Sequence, residues 1–200
     1  MVIHHQRSHH ITANAPPRSP FMSSLFLISV SIHVGAQFWM TFISGLALYF
    51  SLPRHAFGDV QKVLFPKYFT LNTILSALTL VSFHRLHKGT VWQPRHWVQL
   101  SAIGTCFLLE LIVRVYAVPL VVELMTAKIA LERRVPGVGS EVGCNRVLGG
   151  SGGALSRCPF YNRLHSNFRR LHSIVAAVNI ATMACTALQL VYIQQSFSCL

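Results

Sequence analysis

Two charged residues stand where charge is costly. Glu110 and Arg114 lie inside an otherwise apolar run at i, i+4, the spacing at which an acid N-terminal to a base pairs well on one helix. Pairing would lower the cost of placing either in hydrocarbon. His33 and His172 fall in two other apolar runs, and His33, Gln37, Thr41 and Ser44 form a stripe at i, i+4, i+8, i+11. Asn72, Ser76 and Thr79 repeat at helical spacing, and His172, Asn179 and Thr186 are seven apart. A polar side chain in lipid must find a partner, so these stripes mark faces that turn inward and hydrogen-bond between helices. The candidate polar interior is therefore His33, Gln37, Asn72, Glu110, Arg114, His172 and Asn179. Such a set could form a cavity for a proton, an ion or a small solute, or could serve only to hold helices together.

Other chemistry is excluded by what the residues lack. There is no Gly-x-Ser-x-Gly, no His-Glu-x-x-His and no plausible pair of carboxylates, so no catalytic residues are assigned and no enzyme is expected. The five cysteines show no metal-ligand spacing. Paired histidines near the N-terminus (His4-His5, His9-His10) have nothing to fix their geometry. A haem held between His33 and His172 would need room and a supporting set of small residues, and neither metal nor cofactor is expected. The run Gly149-Gly150-Ser151-Gly152-Gly153 lacks the Lys and the Ser/Thr that end a phosphate loop.

Composition dictates the elements that carry these residues. Of 200 residues, 52% are hydrophobic and only 11% charged, about half the charge of a soluble domain, so lipid is the expected solvent. The 17 Lys and Arg against 5 Asp and Glu would suggest nucleic acid if they formed one soluble face. Instead they fall between the apolar runs, and no formal charge occurs from Phe21 to Phe50. The positive balance reads as topology and contact with anionic headgroups, with the bilayer as partner and no nucleic acid.

The expected fold is all-α, an integral membrane bundle of four transmembrane helices spanning about 23–50, 68–86, 97–118 and 171–193. An amphipathic segment after the third span lies at the surface or extends that helix into water. Residues 1–22 form a polar tail unable to bury a core, and 135–160, rich in Gly and Ser, a flexible loop. Pro66 is expected in the first turn of the second span and Pro119 to kink or end the third. Gly35, Gly45 and Ala36 are expected to let the first helix approach a neighbour. The tails and second connection carry about five Lys and Arg, the first and third connections about eleven. The positive-inside rule then places the first and third connections in the cytosol.

The connection from Ser51 to Gln61, with Pro53, Arg54, His55 and Gly58, followed by Leu64-Phe65-Pro66-Lys67-Tyr68-Phe69, closely resembles the signature of the transmembrane protein 205 family. So do Gly35 to Gly45 before it and Phe168, His172, Ser173 and Asn179 after it. The resemblance implies a four-helix membrane protein with no established reaction. The motif residues Pro53, Arg54, His55, Gly58, Gln61 and Pro66 read as helix ends, a close approach and interface anchors, with Arg54, His55 and Gln61 also able to form part of a solute or headgroup site. Two functions are expected on these grounds. One is handling of a small solute or ion through the polar interior; the alternative is a membrane scaffold or trafficking protein that binds an unknown partner through the long third loop.

Overall fold

The structure is a computed structural model that describes residues 19–136, 138–139, 142, 155 and 157–198, the side chains of the last helix as far as Gln195. Four long helices account for nearly all of it: α1 (Pro20–Ser51), α2 (Arg54–Leu86), α3 (Pro94–Glu132) and α4 (Pro159–Ser198). The first three of these and α4 as far as Gln195 are each long and apolar enough to cross a membrane. Ile28, Ile32, Ile74, Val81, Leu108, Ile112 and Ile174 are exposed on the outer surface, as expected where the solvent is lipid.

The expected tail and loop lie mostly outside the described residues, although α1 already begins at Pro20 and α4 at Pro159. Three spans are longer than expected at the same end of the bundle. α2 begins at Arg54, so Pro66 sits inside it and not in its first turn. Proline there removes the donor that Lys62 C=O would use, and this part of α2 lies beyond the apolar stretch, where water can replace it. The segment after Pro119 continues α3 to Glu132, which selects extension over surface lying.

Proline 119 is accommodated by a change of pitch. Residues Val113–Ala117 form a π-helical turn immediately before it, and a second, Trp39–Ser44, interrupts α1. A π turn holds one residue more than an α turn, so each rotates the remainder of its helix by roughly 100° relative to an unbroken one.

Packing is layered. Phe26, Val30, Phe83 and Ile103 form one apolar cluster, and Tyr68, Phe69, Val113, Val118, Val121 and Val175 another. Gly58 permits the close approach of α2 to α3: a Cβ there would stand 2.6 Å from Ile129 Cδ1. The first helix does not behave as expected. A Cβ on Gly35 would meet nothing within 4 Å, and one on Gly45 would meet the carbonyl of Met40, in its own π turn, at 2.8 Å. Gly45 thus serves the backbone of α1 and not a helix-helix contact.

Candidate functional site

The inward stripe of α1 delivers His33 and Gln37 to the centre of the bundle, where they are 2% and 1% exposed. Glu110 of α3, 1% exposed, meets them there. His33 Nε2 lies 2.8 Å from Glu110 Oε1, Gln37 Nε2 donates to the same oxygen at 3.4 Å, and Cys106 Sγ donates to it at 3.7 Å. Glu110 Oε2 has no hydrogen-bonding partner. Whichever group holds the shared proton, the His33–Glu110 pair is neutral together or an internal ion pair, and either form is far less costly in hydrocarbon than one isolated charge.

From this pair a chain of hydrogen bonds runs toward the Arg54 end. Gln37 Nε2 donates to Thr182 Oγ1 at 3.3 Å, and Thr186 Oγ1 donates to Gln37 Oε1 at 2.7 Å. Thr182 Oγ1 donates to the Asn179 carbonyl at 2.9 Å. Asn179 Nδ2 donates to Thr41 Oγ1 at 3.0 Å, and Tyr68 OH donates to Asn179 Oδ1 at 2.8 Å. Thr41, Tyr68 and Asn179 also line the inner end of a partly enclosed cavity of about 510 Å³, within the range of small-molecule sites.

The outer end of that cavity is built around a second buried acid. Glu132, 1% exposed, accepts from Tyr161 OH at 2.6 Å and faces Arg54 Nη2 at 2.9 Å, His55 Nε2 at 3.2 Å and Lys128 Nζ at 3.4 Å. It ties the start of α2, the end of α3 and the start of α4 together. The His55 backbone N–H in turn donates to Gly139 C=O at 3.1 Å, and Pro53 pairs with Val142, so the chain leaving α3 crosses over the α1–α2 connection.

The expected residues are thus distributed over two levels. His33, Gln37, Glu110 and Asn179 join one network, whereas Arg54, Gly58, Gln61 and His172 line the cavity. His172 is stacked between Phe65 and Phe168, with centroids 6.1 and 5.7 Å away, and does not face His33. Asn72 is fully buried but takes no part in the hydrogen bonds. The expected Glu110–Arg114 pair does not form: Arg114 Nε donates to Thr70 Oγ1 at 2.5 Å. Arg114 is drawn to α2 by Thr70, and His33 of α1 takes the acid instead.

Glu132, Tyr161, Thr182 and Cys106 were not among the expected site residues, whereas Thr186 was already part of the inward stripe of the fourth span. The signal for Glu132 was scarcity, since an acid among so many cations is bound to find partners. Cys106 joins His33 and Glu110 in a triad whose donor atoms lie within 4.8 Å of one another, a set able to bind a metal in principle. The direct His33–Glu110 contact already fills the space between two of the three.

The family described as "Domain of unknown function (DUF4149)" matches residues 28–130, which hold His33, Gln37, Glu110, Arg54 and Lys128. Transmembrane protein 205 of Danio rerio is 26% identical over 173 residues, covering 86% of this chain and 92% of that protein. No solved structure matches. With four apolar helices and these relationships, the chain is a multi-pass membrane protein and belongs to the transmembrane protein 205-like family that carries this domain of unknown function.

Proposed function

We propose that the protein is a non-enzymatic handler of a small solute or ion, with the cavity as its entrance and the His33–Glu110 pair as a buried proton-exchanging element. One observation carries this reading: an ordered run of hydrogen bonds links the cavity floor at Thr41 and Asn179 to a carboxylate that keeps one oxygen unpartnered. A buried acid with a histidine, an amide and a thiol about it and no fixed cation is a costly way merely to hold helices together. An open acceptor beside a proton-sharing histidine is instead suited to taking up and returning a proton. Nucleic acid has no part in the proposal.

The test is flux in proteoliposomes loaded with a pH-sensitive dye and challenged in turn with acetate, phosphate, iodide and choline. At least one of these should drive a pH change through the wild-type protein, and Glu110→Gln should abolish it while folded yield and helix content persist. Absence of any protein-dependent pH change across the panel would overturn the proposal and favour a purely structural interior.

A further inference from the structure

The cavity reads as a site for one chemical class. Its walls run along α2 through Arg54, Phe57, Gln61, Leu64 and Tyr68, and along α4 through His165, Phe168, His172, Val175 and Asn179. Each run covers about fourteen residues on a single face, or about 21 Å at the rise of an α-helix. That length matches a headgroup layer plus part of one leaflet, whose hydrocarbon is about 15 Å deep.

The two ends differ in chemistry. Lys67 on α2 and Arg170 on α4 are both placed at the level where the apolar parts of these helices begin. Beyond them, toward the connections, stand Arg54, Lys128 and Glu132; at that level stands Arg169; inward lie Phe69, Val175 and Ala176. Three cations against one carboxylate leave the mouth with an excess of two positive charges before any histidine is counted. Glu132 already faces Arg54 and Lys128, whereas Arg169 has no carboxylate partner among the described residues. The wall between mouth and floor is aromatic: Lys128 Nζ sits 5.4 Å from the Phe168 ring centroid, and Phe168, His172 and Phe65 stack in sequence. Such a wall takes an acyl chain and offers a small hydrophilic anion little.

We infer that the cavity binds an anionic amphiphile from the bilayer, its carboxylate or phosphate head held at the mouth by Arg169 and the Arg54–Lys128 pair, and its acyl chain lying against Phe168, His172 and Phe65. This rests on the reading of the cavity as the protein's entrance and names the class of molecule that enters it.

The experiment is equilibrium binding to the purified full-length protein in a non-ionic detergent, read by native mass spectrometry and by retention of radiolabelled oleate. Oleate and lysophosphatidic acid should bind at least tenfold more tightly than monoolein and lysophosphatidylcholine, which share the chain but carry no net charge. Arg169→Gln should weaken oleate binding at least fivefold and leave monoolein unaffected, and Ala176→Phe, on an accessible part of the cavity wall, should weaken both acids by narrowing the space for the chain. Equal binding of the charged and uncharged amphiphiles would overturn the inference, as would displacement of oleate by acetate or inorganic phosphate at matched concentration, which would identify a tailless anion as the ligand. Failure of both acids to bind while the proteoliposome pH change persists would overturn this inference alone. Binding without any such change would sustain it and remove the transport reading.

Discussion

Two buried glutamates on α3, each against a histidine, occupy opposite circumstances. Glu110 and Glu132 lie 22 residues apart, on either side of the π turn of α3. At Glu132 the carboxylate meets two fixed cations, a histidine and a phenol at the aqueous end of the bundle. At Glu110 there is one histidine, a glutamine and a thiol, and no fixed cation, in the middle of the bundle. The first is over-supplied with positive partners and is therefore held ionised as a structural clasp. The second has a single histidine against it at 2.8 Å and no fixed cation, the arrangement on which the proposed proton exchange rests. Burial alone does not distinguish a clasp from an exchange site; the number of fixed counter-charges does.

The strongest way to break this comparison is to remove the clasp's charge. Glu132→Gln should destabilise the bundle by about 3 kcal/mol, since it leaves Arg54 and Lys128 crowded without their anion, and thermal unfolding in detergent would measure it. A loss no greater than that from Glu110→Gln would erase the distinction. Next in size, Gly45→Ala should cost about 1–3 kcal/mol because the obstructing atom is a backbone carbonyl at 2.8 Å. Gly35→Ala, at the level of the exchange site, should cost under about 0.5 kcal/mol. A tolerant Gly45 would mean that the π turn of α1 relaxes, and with it the placing of Thr41.

A thermal-stability cycle sharpens the other half. Glu110→Gln and His33→Gln should couple by about 1 kcal/mol, whereas Glu110→Gln and Arg114→Gln should add within about 0.5 kcal/mol because Arg114 is held by Thr70. Strong coupling to Arg114 with none to His33 would reverse the assignment of partners. The smallest effect is expected at Asp59, which pairs with Lys62 and Arg133 on the surface with its side chain 43% exposed. Asp59→Asn should change stability by under about 0.5 kcal/mol, and a larger loss would show that the wet end depends on more than Glu132.

The bundle itself was legible because lipid imposes long apolar runs, and the inward faces of α1 and α4 were legible because His33, Gln37 and Asn179 keep helical register with their neighbours. What the sequence concealed lay in contacts between helices. The i, i+4 rule paired Glu110 with Arg114, but Thr70 of α2 takes the arginine and His33 of α1 takes the acid. Spacing by seven found Asn179 and Thr186 but passed over Thr182, one turn from each. Glu132 was hidden in the same way: its partners come from three segments, and no local pattern reports a contact between His55 and a residue 77 positions away.

If the proposed proton exchange holds, the depth of Glu110 makes the protein an electrical object as well as a chemical one. It lies eight residues inward of Val118, near which the apolar third span was expected to end, or about 12 Å of rise within a slab about 30 Å thick. On the proposed reading, a proton reaching it from that level crosses roughly 0.4 of the membrane field, worth about 0.9 kcal/mol for every 100 mV. A resting potential would then fill or empty the His33–Glu110 pair according to its sign. Reversing an ion-gradient potential across proteoliposomes should invert the direction of that bias, so that the interior of this bundle reports voltage with no moving charged helix.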